Sequence, residues 1–522
     1  MLSSFSIPSL LLLGSGTLAA TVSKKLTIGN AELSPDGFKR TGVTVNGQFP
    51  GPLITANVGD TFELTVADDL KDESLALVTS VHWHGFFQHG TNEMDGVATV
   101  NQCPIVPGKE FTYKFDVTDQ AGTYWYHSHY STQYCDGLRG PLVVYDPHDP
   151  HKHLYEVDNE ETIITLSDWY HFASPQAPAI VYFNSTLING KGRYIDPVGE
   201  NLGHDLAVIN VEYGTKYRMR LISMSCDPNF IFSIDNHDMT VIEADGSNVE
   251  PLKVDSIQIY AGQRYSFVLD ANQKPDNYWI HALPQSSSNN PNATTFEHGL
   301  NSAILRYKGA HDEEPHAKDN ATTPSRLPLV ETNLHPLVPT PPPQVADKTI
   351  PLQISLNGSF FVNNHTYTPP ETPVLLQILG GNKTAQSLVP EGSIYELEPN
   401  TVVDLIIPGG SLGGPHPMHL HGHQFWVLRS AGNSSLNLVD PVLRDVVSAG
   451  NSTDDEVTIR FKTDNAGPWI LHCHIDWHLN NGLAVVMAEN IDQAASSNPV
   501  PSSWDALCPA YDEFVAEHPN AY

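Results

Sequence analysis

Three stretches of the chain open alike. Val58-Gly59-Asp60-Thr61-Phe62, Glu212-Tyr213-Gly214-Thr215-Lys216-Tyr217 and Glu398-Pro399-Asn400-Thr401-Val402 each lead into residues that alternate between apolar and polar. That period of two is what a strand with one buried face requires. Each stretch is followed by a second marker, Tyr124-Trp125-Tyr126-His127-Ser128-His129, Tyr278-Trp279-Ile280-His281-Ala282-Leu283 and Pro468-Trp469-Ile470-Leu471-His472-Cys473-His474. The spacing predicts three related β-sandwich domains, over residues 21–150, 151–321 and 322–522, after a leader at 1–20. Laid over one another, the markers end His-Ser-His, His-Ala-Leu and His-Cys-His, and His419-Leu420-His421 of the third copy faces Ser233-Ile234-Asp235 of the second. The middle copy therefore lacks ligands, and a metal cluster is expected to join domains one and three. The stretch from His335 to Pro351, with three consecutive prolines at Pro341, Pro342 and Pro343, cannot pair as a central strand and reads as a stiff connection.

Composition agrees with a mostly β chain. At 522 residues it holds about three domains of ordinary size. Its 40 prolines, 37 glycines and 16% charged residues suit strands and turns better than long charged helices. A formal charge of −32 excludes nucleic acid as a partner, since neutralising phosphates takes clustered Lys and Arg. The same field favours neutral or cationic small molecules over anionic ones.

The apolar run Ile7 to Leu13, followed by small residues ending at Ala19 and Ala20, resembles a signal peptide, and no later stretch could span a bilayer. Asn-x-Ser/Thr sequons at Asn184, Asn292, Asn320, Asn357, Asn364, Asn382, Asn433 and Asn451 support secretion alongside that leader, and a monomer carrying N-linked glycans is expected. Five cysteines in an oxidising compartment imply two disulfides and one thiol kept for another purpose; Cys473, between two histidines, is that thiol.

Four His-x-His pairs carry the chemistry: His82/His84, His127/His129, His419/His421 and His472/His474. Residues two apart on a strand share a face, so each pair offers two imidazoles in one direction. One such pair is incidental more often than not, but four in repeated positions are not. A zinc site needs only three or four ligands, so several metals sharing all eight is the economical reading. Cys473 alternates with His472 and His474, so its sulfur faces the other way, toward His478 five residues on and His416 upstream. Two imidazoles and a thiolate form the trigonal set of a blue-copper electron-transfer centre.

The stretches His82-Trp83-His84-Gly85, Trp125-Tyr126-His127-Ser128-His129, His416-Pro417-Met418-His419-Leu420-His421-Gly422 and His472-Cys473-His474-Ile475-Asp476-Trp477-His478 resemble those of the multicopper oxidases, specifically the fungal laccases. The resemblance covers essentially the whole mature chain and implies an all-β fold of three consecutive cupredoxin-like Greek-key sandwiches. It implies four copper ions: a type 1 copper on His416, Cys473 and His478, a type 2 copper on His82 and His419, and paired type 3 coppers on His84, His127, His129, His421, His472 and His474. It pairs Cys103 with Cys508 and Cys135 with Cys226, where sequence alone allows three pairings. His423 and His281 are left as supporting or structural residues. Asn92-Glu93-Met94-Asp95 departs from the family, placing an acid where an aromatic is expected and leaving local packing open.

By family position, Asp95 and Asp476 supply protons for dioxygen reduction, and Asp227 accepts the phenolic proton while the electron leaves through His478. Leu483, ten residues after Cys473, occupies the axial place of the type 1 copper, where leucine cannot coordinate and the site should be the stronger oxidant for it. The implied activity is one-electron oxidation of phenolic and related aromatic donors coupled to four-electron reduction of dioxygen to water, in lignin or phenol breakdown. A metal-ion or ascorbate oxidase would keep every copper ligand with a different donor pocket, and a copper carrier would have no use for a blue site linked to a cluster.

Overall fold

The computed structural model describes residues 19–196, 198–200, 205–285, 295–316, 325–381, 387–389 and 392–519. The apolar run of the leader and the sequons at Asn292, Asn320 and Asn382 lie outside them. Strands dominate, and they pair into three two-sheet sandwiches in chain order.

In the first sandwich, strands Arg40–Val45, Thr21–Leu33, Thr61–Asp69 and Glu110–Asp116 form one sheet, and Ile54–Asn57, Arg139–Tyr145, Gly122–Ser128 and Val81–His84 the other. The middle sandwich packs a six-stranded sheet, centred on Lys216–Ser223 and Arg264–Asp270, against a five-stranded sheet carrying Asn277–Gln285 and Asn229–Ile234. In the third, Val402–Pro408, Glu456–Lys462 and Phe425–Arg429 face Ala484–Glu489, Gly467–Cys473 and Pro417–Leu420. The repeated openings become equivalent strands: Thr61–Asp69, Lys216–Ser223 and Val402–Pro408 each run antiparallel to a partner, at Glu110–Asp116, Arg264–Asp270 and Glu456–Lys462. In Thr61–Asp69 burial alternates with the apolar positions Phe62, Leu64 and Val66, as the period of two requires.

The proline-rich stretch differs from its reading in one respect. Lys348–Pro351 pairs in parallel with Val402–Pro408 at the edge of the third sandwich. Proline is tolerated on an edge because the N–H it lacks would face solvent. Of the residues before it, 335–337 pair with 248–250 of the middle sandwich, and Thr340 O accepts from Trp426 Nε1 of the third at 2.8 Å. Disulfides Cys103–Cys508 and Cys135–Cys226 form, tying the C-terminal helix Leu507–Glu517 to the first sandwich and the first sandwich to the second. Cys473 is the free thiol. No helix among the described residues is long and apolar enough to cross a membrane.

Candidate metal centre

Strand register brings the histidines together. His82 is paired across the sheet with His127, and His419 with His472. The second member of three pairs, His129, His421 and His474, lies just past a strand end, where the chain turns inward. At the same register the middle sandwich pairs Ser233 with His281. There His281 Nε2 lies 3.2 Å from Asp235 Oδ1 and Nδ1 3.3 Å from Ser302 Oγ, so this imidazole is used up within its own domain.

The eight paired histidines are buried where the first and third sandwiches meet. His82 and His421 approach to 3.9 Å between ring centroids, and His84 and His419 stack at 3.9 Å and 10°. Hydrogen bonds to oxygen acceptors fix which ring nitrogen carries the proton, because a carbonyl or carboxylate only accepts. His82 Nδ1 donates to Asp95 O, His127 Nδ1 to Ser128 O, His419 Nδ1 to Asp445 O and His472 Nδ1 to Cys473 O, all at 2.8–2.9 Å. His421 Nδ1 donates to Asp95 Oδ2 at 2.9 Å, while His84 reverses the pattern, its Nε2 facing Asp445 Oδ1 at 3.3 Å. The lone pairs therefore sit on Nε2 of five rings and on Nδ1 of His84.

These lone pairs face other ring nitrogens or no partner at all. His421 and His129 present Nε2 at 3.1 and 3.5 Å from His472 Nε2, and His84 Nδ1 lies 3.2 Å from His474 Nε2. The Nε2 atoms of His82, His127 and His419 are buried without any hydrogen-bond partner. Unpaired acceptors in a dry interior are costly unless a cation occupies the space between them. Burial, reinforced by neighbouring imidazoles, holds seven of the eight rings neutral, with His84, His127, His129, His419, His421 and His474 well below the ordinary histidine range and His472 pulled down to about 3. Neutral imidazole is the form that binds metal. A cavity of about 680 Å³, lined by His129, Tyr130, Tyr367, Leu479 and Tyr511, reaches this cluster from the C-terminal helix.

The second donor set stands on the other face of Gly467–Cys473. Cys473 Sγ lies 3.5 Å from His416 Nδ1 and 3.6 Å from His478 Nδ1, and the two nitrogens are 3.2 Å apart. A triangle of that size fits one soft cation bonded at about 2.0–2.3 Å to each corner. Leu483 is fully buried in the same core cluster as Cys473, and its carbonyl accepts from Cys473 N at 3.1 Å. Phe360, marked by no local motif, packs its ring 4.5 Å from that of His478.

The predicted carboxylates sit in different settings. Asp95 reaches His421 through its carboxylate and His82 through its carbonyl. Asp476 opens the short helix Asp476–Asn480, buried beside the Cys135–Cys226 disulfide, and burial drives its carboxyl well above the ordinary range despite the opposing charge of Arg139. Asp227 is half-buried; its N–H donates to Asp168 Oδ2 at 3.1 Å, and burial together with Asp168 pushes its carboxyl up to about 7. Asp168 also accepts from Tyr170 Oη at 2.6 Å, and Tyr170 in turn accepts from Trp477 Nε1, next to His478. His423, set aside as supporting, has Nε2 3.1 Å from Glu489 Oε1 and donates from Nδ1 to His421 O. Glu93, the departure from the family pattern, is buried on the 3-10 turn Asn92–Met94, and desolvation raises its carboxyl to about 7.

Sequence reasoning missed Asp445, Arg264 and Asp168. None stands at a recognisable spacing from a histidine, and only the fold brings them to the site.

Three sandwiches, a buried histidine cluster and a Cys-His-His donor set joined to it through the strand Gly467–Cys473 define a multicopper oxidase. Family models of that description match residues 27–149, 160–310 and 367–493. The chain is 56% identical over 500 residues to Laccase-2 of Trametes villosa and 55% identical over 496 residues to a laccase of Pycnoporus cinnabarinus, covering 93% of each chain in both cases. Its fold superposes on the laccase of Botrytis aclada with a TM-score of 0.80 at 32% identity, over 96% of this chain and 93% of that one. It also superposes on Fet3p, a multicopper oxidase that functions in iron import, with a TM-score of 0.79 at 27% identity, over 94% and 95%. The chain belongs to the multicopper oxidase family, among the fungal laccases, and copper is its metal.

Proposed function

We propose that the enzyme oxidises phenolic donors one electron at a time and reduces dioxygen to water, four donors per dioxygen. In this reading His416, Cys473 and His478 hold a type 1 copper, His82 and His419 a type 2 copper, and His84, His127, His129, His421, His472 and His474 a type 3 pair, four ions in all. Bound copper supplies the one-electron acceptor on the donor side and the four-electron reductant for dioxygen. The observation that carries the reading is Cys473: its sulfur belongs to one donor set, while peptide bonds join it to His472 and His474 of the other.

The chain's own groups do the rest. His478, part-exposed, presents an imidazole edge to the donor. Asp227 takes the phenolic proton on its carboxylate. Phe360 and Leu483 keep water from the thiolate. Asp95 and Asp476 deliver protons toward the cluster, which dioxygen reaches through the cavity beside His129. In balance, four phenols lose four electrons and four protons, and one dioxygen takes four of each to give two waters. Export and glycosylation belong to the same reading, with Asn357, Asn364 and Asn451 exposed for modification.

Oxygen uptake with a simple phenol tests it. Four radical equivalents per dioxygen, without peroxide, are expected; release of peroxide or failure with every phenol overturns the reading. The likeness to an iron-import oxidase makes ferrous ion the comparison donor, and a much higher kcat/KM for iron than for phenols would transfer the activity to metal ions.

A further inference from the structure

The middle sandwich offers no imidazole to the cluster, yet one of its side chains binds all three domains at the cluster's edge. Arg264 follows the turn Tyr260–Gln263 and opens the strand Arg264–Asp270. Its Nε donates to Thr123 O of the first sandwich at 3.0 Å, and Nη1 to Gly262 O of its own at 3.0 Å. Nη1 and Nη2 clasp both carboxylate oxygens of Asp445, in the third, at 2.6 and 2.7 Å. Asp445 stands between Leu443–Arg444 and Val446–Ser448, where the chain crosses from one sheet of the third sandwich to the other. Its Oδ1 meets His84 Nε2 at 3.3 Å and its carbonyl accepts from His419 Nδ1 at 2.8 Å. All four side chains are at most 1% exposed.

The neighbouring turn is fitted as closely. A Cβ on Gly262 would fall 2.8 Å from His474 Cδ2 and 3.0 Å from His84 Cε1, and one on Gly85 would fall 2.6 Å from Arg264 Nη2. Gln263 Nε2 adds a bond to Val446 O at 3.0 Å.

We infer that Arg264 is a positioning residue: by fixing the Asp445 carboxylate it sets the tautomer of His84 and holds in place the Asp445 carbonyl that orients His419, so the domain without ligands determines the geometry where the other two meet. A planar fork with donors on two edges matches a carboxylate in two places, which the point charge of lysine cannot do. Groups that orient metal-binding histidines through hydrogen bonds are worth about 10- to 100-fold in metal affinity or activity.

The inference rests on the reading that these histidines hold copper, and the experiment separates the two. Arg264→Lys keeps the charge and loses the fork. Arg220→Lys is the comparator, an equally buried arginine bonded to Thr123 Oγ1 and Asp158 that is bonded to no cluster histidine. Purified holoenzymes are compared for copper content, resistance to a chelator, the type 2 electron paramagnetic resonance spectrum, the type 3 absorption band and the blue band. Arg264→Lys is expected to keep the blue band, alter the type 2 spectrum and release cluster copper to the chelator at about 10- to 100-fold lower concentration. Arg220→Lys should lower Tm alone. If Arg264→Lys also lowers only Tm, the inference is overturned. Should it fail to fold, Asp445→Asn, which keeps the side chain's size, is read by the same signals, and an unaltered cluster there overturns it too. Absence of copper from the parent enzyme would instead sink the metal reading.

Discussion

Asp227 is held before any donor arrives, by Asp168, which also organises Cys226, Tyr170 and, through Tyr170, Trp477. Replacing it by Asn keeps the shape but not the ability to take a proton. Asp227→Asn should therefore slow phenols by about 10²- to 10⁴-fold while leaving outer-sphere donors such as metal complexes unaffected; equal losses for both classes would assign Asp227 to the fold instead. The sign of the pH effect follows. The carboxyl, pushed up to about 7 by burial and Asp168, accepts a proton only when ionised, so phenol turnover falls as pH drops through its pKa. A cation at the neighbouring thiolate set pulls that pKa down, placing the acid limb between the ordinary carboxylate range and 7. Stopped-flow pH profiles should show this limb in the parent and not in Asp227→Asn. At the thiolate set, Leu483→Met offers a weak sulfur to the oxidised metal and should lower the type 1 potential in a redox titration. An unchanged or higher potential would remove Leu483 from the axial place.

Short-range spacing made the histidines legible, because a strand's period of two converts His-x-His into a shared face without reference to the rest of the chain. Asp445 escaped because the partners of its carboxylate, His84 and Arg264, are 361 and 181 residues away. Glu93 was noticed only as a mismatch, since burial of its carboxyl depends on packing that no local pattern encodes. The threefold strand repeat was equally readable, and it yields a prediction for the silent copy. Ser233 and His281 keep the pairing register of His419 and His472, but His281 is turned to Asp235 and Ser302. His281→Ala should leave copper per chain unchanged by metal analysis. It should cost about 1–3 kcal/mol of stability through the polar partners it strands, seen as a lower Tm. Loss of any copper would mean that the repeats are misaligned.

With 59 acidic and 27 basic residues, the molecule repels anions at a distance and attracts cations. Salt should therefore raise kcat/KM for a carboxylated phenol and lower it for a cationic amine of similar potential, most steeply below about 0.15 M, where the Debye length exceeds roughly 8 Å. Parallel salt responses for the two donors would show that encounter is not steered by charge. The distribution of ligands along the chain has a temporal consequence as well. His82 and His474 bracket the cluster, and Cys508 must return to Cys103 across 405 residues. During synthesis the third sandwich can gather His416, Cys473 and His478 by itself. The cluster has no such local route, for no nascent fragment ending before His474 contains its full set. A cluster filled with copper therefore requires that the chain has been made at least as far as His474 and that the first and third sandwiches have met, so metal loading there waits on the joining of two distant domains.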